Sequence, residues 1–136
     1  MMDTESTRDY KVRVIREGCA EGWALVSLEP IGFLGGVSGT SGIVTEKGHP
    51  LEGQCIAGKI LVFPTGKGST VGSYILYQLA RNGYAPAAIV NAESEPIVAV
   101  GAIISDIPMV DHMPIEAVLT GDRVIIHGDT VTVIRT

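Results

Sequence analysis

Chemically useful residues are densest in the segment Pro64-Thr65-Gly66-Lys67-Gly68-Ser69-Thr70. Two glycines remove side chains that would keep a ligand off the backbone. Lys67 adds a positive charge, and two hydroxyls stand side by side. The apolar run Lys59-Ile60-Leu61-Val62-Phe63 precedes the segment, and Val71, Ile75, Leu76 and Leu79 follow at helical spacing. A strand that ends in a flexible turn at a helix start presents unpaired N–H groups. Phosphate, a carboxylate or a developing oxyanion binds at such a place. The competing reading is that Ser69 or Thr70 only caps the helix, a role worth about 1 kcal/mol. Residue chemistry leaves these two readings level. Two nucleotide-binding patterns are excluded. A P-loop needs a glycine five places before the Gly-Lys pair and a Ser or Thr after it; Leu61 and Gly68 stand there instead. In the dinucleotide fingerprint, Val71 would have to be the third glycine.

Other candidates are weaker. Gly35-Gly36-Val37-Ser38-Gly39 is either a plain connection or a mobile segment that closes over a substrate. Glu93 and Glu95 follow a second apolar run, Ala87-Ala88-Ile89-Val90, at the sheet edge where α/β proteins bind ligands. Ser73 reads as a packing residue one turn after Ser69, and Asp111-His112 as a solvated loop. His49 reads as a surface residue and His127 as structural. The three histidines have no metal-binding spacing. Cys19 and Cys55 read as buried thiols, matching no zinc or iron–sulfur pattern. No metal ligand is assigned to this chain.

The elements that must hold these residues follow from pattern. The chain has 136 residues, 46% hydrophobic but only 5% aromatic. That is one domain with an aliphatic core. Residues 1–10 read as a polar tail, and 11–136 as a single domain. Lys11 to Arg16 alternates as a half-buried strand, and Glu21 to Ser27 reads as a second. Five glycines between Glu29 and Gly42 keep that stretch irregular, with room for a short strand at Ile31 to Leu34. Strand, helix and strand from Lys59 to Val90 form a βαβ unit, with Asn82-Gly83 closing the helix. Ile97 to Val100 reads as a short strand or half-turn, Pro108 to Val110 as a strand, and Ile115 to Thr120 as a short helix. Arg123 to His127 and Thr130 to Ile134 form a hairpin around Gly128-Asp129. The expected fold class is mixed α/β: a central βαβ unit and a β layer from both chain ends. Net charge is −5, without a basic run, which argues against a nucleic-acid partner. No apolar stretch is long enough to span a bilayer, and no signal peptide opens the chain. A cytoplasmic protein is expected.

Gly58 to Thr70 resembles the swivelling small subunit of the aconitase X family. The likeness continues through Gly83-Tyr84-Ala85-Pro86-Ala87-Ala88-Ile89 and Gly101-Ala102-Ile103. It also takes in Gly35-Gly36-Val37, Thr40-Ser41-Gly42 and His49-Pro50. The resemblance implies a swivelling β/β/α domain and an aconitase-like large-subunit partner carrying an iron–sulfur cluster, [4Fe-4S] in type. Family members are hydro-lyases. The archaeal two-chain form removes water from (R)-5-phosphomevalonate to give trans-anhydromevalonate 5-phosphate, and bacterial relatives dehydrate cis-3-hydroxy-L-proline. The first activity is the one expected here. A dehydratase of another hydroxy acid, or a non-catalytic anion-binding domain, is the alternative. The family's catalytic serine falls on Ser69, as the base that takes the substrate proton. Gly66, Lys67, Gly68, Thr70, Gly35 and Gly36 are expected to hold a small anionic substrate. The family's loop commonly reads Val-Asp-Pro where this chain has Val37-Ser38-Gly39, so no role of that Asp carries over.

Overall fold

The computed structural model describes residues 6–135. The elements are β1 (Ser6–Lys11), β2 (Arg13–Arg16), β3 (Cys19–Val26), β4 (Ile60–Phe63), α1 (Gly72–Asn82), β5 (Ala88–Asn91), α2 (Pro96–Ile104) and β6 (Met109–Asp111). A 3-10 turn (Ile115–Ala117), β7 (Arg123–His127) and β8 (Thr130–Arg135) complete the chain. Strand order is β1-β8-β7-β3-β4-β5-β6-β2. β1 and β2 stand at opposite ends of that order, yet only Val12 separates them. The sheet must therefore curl until its edges meet at Val12, which is buried and donates its N–H to Asp129 O at 2.9 Å. β3 makes the second fold line. Its first half, Cys19 to Trp23, pairs antiparallel with β7, and Ala24 to Val26 pairs parallel with β4.

Two β layers result, and the helices form a third. Side chains alternate between the two spaces. Ile60 and Val62 of β4 point between the β layers, with Val90, Val110, Val124, Ile126, Val131 and Val133. Leu61 and Phe63 point to the helices, with Ile89, Met109, Leu76, Leu79 and Val98. Burial on both faces is why β4 is apolar throughout. Each such side chain contributes about 1.5–3 kcal/mol. The layer from both chain ends and the parallel β4–α1–β5 unit agree with the sequence reading.

Several expectations are corrected. Residues 6–10 are not tail: Ser6–Lys11 pairs with Arg135 to Thr130 of β8. The alternating run from Lys11 is cut at Val12, where the chain changes layers. The stretch Ile31 to Leu34 yields only a bridge between Ile31 and Gly66, and the expected helix after Ile115 is one 3-10 turn. Ile97 to Val100 lies inside α2. Its β-branched residues favour a strand, but Glu95 accepts the N–H groups of Val98 and Ile97, and Pro96 pre-sets the first turn. Cys19 is exposed and Cys55 half-buried, because neither falls on an inward face. His49 is buried rather than on the surface. Its ring nitrogens contact Pro30 O at 3.1 Å and accept the Leu51 N–H at 3.1 Å.

α1 and α2 pack closely at Gly101. A Cβ there would lie 2.7 Å from Leu76 Cδ1 and 3.2 Å from Ser73 Cα. Gly101→Val is therefore expected to wedge the helices apart and lower stability by about 1–3 kcal/mol, read as a shifted denaturation midpoint with unchanged slope.

Candidate active site

The parallel strands β3, β4, β5 and β6 end at one edge, and the glycine-rich turn leaves β4 there. Pro64 O accepts N–H groups from Ala92 (3.0 Å) and Glu93 (3.1 Å), just beyond β5. On its other side the turn pairs with the loop after β3. Ile31 N–H reaches Thr65 O at 3.3 Å, and Lys67 N–H reaches Ile31 O at 3.1 Å. A Cβ on Gly66 would run into the Glu95 carboxylate and lie 2.9 Å from Glu95 Cγ. Gly68 has φ +98°, a conformation that favours glycine. Both glycines are thus required by the path of the turn.

Ser69 and Thr70 are exposed at the mouth. α1 begins at Gly72, and its N-cap position falls on Val71, which cannot cap. Ser69 Oγ accepts the Val71 N–H at 3.2 Å, and Thr70 O accepts from Ser73 Oγ at 3.0 Å. Gly68, Ser69 and Thr70 donate their own N–H groups to no acceptor among the described residues. A hydroxyl oxygen that receives an N–H at a helix start sits where negative charge is stabilised. That geometry suits a serine asked to take up a proton, and it would equally hold an anion.

Lys67 is paired. Its Nζ lies 2.9 Å from Glu46 Oε2. Glu46 Oε1 lies 3.5 Å from where a Gly36 Cβ would stand, and that Cβ would also overlap Gly32 O. The loop from Ile31 to Gly36 therefore comes against the turn. Gly36 itself is buried, while Gly35 stays exposed at the rim. Thr45 holds both, its N–H on Gly36 O at 2.9 Å and its Oγ1 on Gly35 O at 3.3 Å. Val37 is buried, and Val37 and Val44 form a bridge, so the segment is packed.

Asp111 is the largest departure from the sequence reading. Its side chain is 0% exposed, not in a solvated loop. Arg13 grips it with two bonds, Nε to Oδ1 at 2.8 Å and Nη2 to Oδ2 at 2.7 Å, and Ser94 N–H reaches Oδ2 at 2.9 Å. Burial pushes the Asp111 carboxyl up, but the Arg13 fork and Ser94 outweigh it and hold it at about 2, below the ordinary 3.8. Glu93, Asp111 and His112 cluster here, with donor atoms within 4.8 Å of one another. Both Asp111 oxygens already serve Arg13, so the trio makes no case for a metal.

The family model for the aconitase X swivel domain matches residues 9–134. The chain belongs to the aconitase X swivel-domain family. It is 58% identical over 122 residues to the phosphomevalonate dehydratase small subunit of Methanosarcina mazei, covering 88% of this chain and 85% of that one. It is 55% identical over 120 residues to the phosphomevalonate dehydratase small subunit of Thermococcus kodakarensis, covering 88% and 90%. A crystal structure of Thermococcus kodakaraensis aconitase X in its holo-form matches with TM-score 0.91 and 52% identity over 93% of this chain and 98% of that one. A solution structure of a UPF0107 protein matches with TM-score 0.83 and 49% identity, over 91% and 97%. The aconitase X swivel domain is thus the β/β/α arrangement described above.

The iron–sulfur cluster implied by the aconitase X family does not fit this chain. It has two cysteines, where a cluster held by thiolates uses four. Cys19 lies on β3 opposite His127, whereas Cys55 is in a loop against Ser41 O. Local sequence held no sign of the Glu46–Lys67 or Arg13–Asp111 pairs, which join distant segments. The start of α2 carried one local signal, Pro96 at the first helical position.

The low Asp111 pKa sets a stability window. Its native value lies below the unfolded one, so its contribution is complete above about pH 4 and is lost as the pH falls through about 2. The stability gap between the natural chain and Asp111→Asn is expected to shrink over that interval, measured by denaturant unfolding at stepped pH. A constant gap would contradict the assignment.

Proposed function

We propose that this chain is the small subunit of a two-chain hydro-lyase, phosphomevalonate dehydratase. It would supply Ser69 as the base that takes the substrate proton. The observation that carries the reading is the exposed Ser69 hydroxyl, its oxygen on the Val71 N–H at the start of α1. That turn lies within a chain identical at more than half of its aligned positions to small subunits of that name. On this reading Ser69 Oγ, held as the alkoxide, takes the proton from carbon, and the freed electron pair forms the carbon–carbon double bond. The hydroxyl on the neighbouring carbon leaves as hydroxide and takes a proton from solvent to become water. An unassisted serine is a weak base at neutral pH. The amide dipoles at the mouth would lower the cost of charge on its oxygen.

The substrate class is a phosphorylated hydroxy acid. Lys67 is the cation on offer to its phosphate, and a phosphate would compete with Glu46 for the ammonium. The iron–sulfur cluster is assigned to the large subunit, since this chain holds no ligand set for it. The outer faces of α1 and α2 support a docked partner. Tyr74, Tyr77, Val100, Ile103 and Ile104 are exposed there, and α2 carries no charged residue. A depression of about 270 Å³ between the helices is lined by Thr70, Ser73, Pro96, Ile97 and Val100. It joins this apolar face to the mouth. No helix among the described residues is long and apolar enough to cross a membrane.

The isolated chain is expected to be inactive, and mixing with its large subunit should yield dehydration of 5-phosphomevalonate. Ser69→Ala should lower turnover of the complex by about 100-fold or more; near-normal turnover would sink the base assignment. Lys67→Ala should raise KM for the phosphorylated substrate and leave kcat nearly unchanged. Tyr74 is 68% exposed, so Tyr74→Asp should spare the fold but weaken co-elution with the large subunit.

A further inference from the structure

We infer that Asp111, gripped by Arg13, is a positioning residue for the turn that carries Ser69. A buried ion pair is weak evidence for stability, because apolar residues of similar volume often serve as well. What the pair holds is therefore the better guide to its use. Arg13 and Asp111 are register partners on β2 and β6, so the bond joins the last two strands of the sheet. The carboxylate then reaches across to Ser94 N–H at 2.9 Å. Ser94 belongs to the short loop 92–95 that follows β5, and that loop touches the turn twice. Ala92 and Glu93 donate to Pro64 O. Glu95 stands against Gly66 while accepting the first N–H groups of α2 at 2.7 and 3.0 Å. The near end of the loop is fixed to the residue just after β6 by His112 N–H on Ala92 O at 2.9 Å. A path of bonds therefore runs from Arg13 through Asp111 and the loop to both Pro64 and Gly66, without touching the mouth itself. Asp111 is fully enclosed, and acts only through these contacts.

The effect on turnover rests on the reading of Ser69 as the base; the effect on the turn does not. The test uses Asp111→Asn and Arg13→Lys in the full chain, alone and assembled with its large subunit. In the folded complex, kcat per assembled enzyme is expected to fall by about 10- to 100-fold, with KM within about twofold of the natural value. In the chain alone, the Ala92 and Glu93 amides should exchange with deuterium faster, while amides of β7 and β8 keep their natural rates. A general structural role would instead speed exchange everywhere, or reduce the folded yield without changing kcat. Arg13→Lys keeps the charge and loses the two-pronged grip, so it reads the same effects in smaller size if Asp111→Asn does not fold. Unchanged protection of Ala92 and Glu93 overturns the inference. So does a normal kcat in these variants when Ser69→Ala abolishes turnover in the same assay. If Ser69→Ala turns over normally, the functional reading falls instead, and the exchange rates alone decide the positioning role.

Discussion

Ile60 to Phe63 is enclosed on both faces, by the second β layer on one side and by the helices on the other. Four fully buried residues in the middle of an eight-strand sheet cannot shift without disturbing two cores. The point where this strand stops is therefore among the best-fixed places in the molecule. Phe63 marks it from within, its ring packed edge-on against Phe33 with centroids 6.3 Å apart. Asn91 Nδ2 marks it from the side, donating to Phe63 O at 2.9 Å. The glycine turn leaves from that point, so a flexible segment starts from a rigid origin. Neighbouring loops then hold it at Pro64, Thr65, Gly66 and Lys67. Only the last few residues, from Gly68 to Thr70, stand free at the surface.

This arrangement separates support from chemistry. Polar pairs that hold the site are placed under it, and the groups that would meet a substrate are placed at the rim. The apolar outer faces of α1 and α2 continue from that rim. A hydroxyl exposed in the isolated chain becomes enclosed only when something covers that face. Exclusion of water would then come from assembly rather than from a lid of this chain.

Much of this was legible in the sequence, for reasons that differ by element. β4 and the βαβ unit were readable because a run of apolar residues ending at Pro64 has few other uses. The hairpin of β7 and β8 was readable from alternation around Gly128-Asp129. The turn was singled out by composition, and the role proposed for Ser69 rests on family resemblance rather than spacing. What escaped was decided by distant partners. Ser6 to Asp9 is polar and exposed, and only β8 makes it a strand. Asp111 has the look of a loop residue until Arg13, 98 positions away, arrives to neutralise it. His49 is polar, and its burial depends on Pro30 and Leu51 offering bonds. α2 has the composition of a strand and is helical because its first turn is capped and Gly101 fits against α1.

Val12 has a consequence for how the molecule is made. The strand on one side of it pairs with β8 and the strand on the other side with β6, so the earliest described strand waits for the latest. During synthesis the N-terminal segment has no partner until β8 has left the ribosome. The two layers cannot close over their shared core before then. Such pairing at long sequence separation is slow, and it leaves the edge of β7 that β8 will cover open in the meantime. Unpaired edges of that kind invite association between nascent chains. The polar, charged character of Ser6 to Lys11, which hid it as a strand, also keeps that waiting segment soluble.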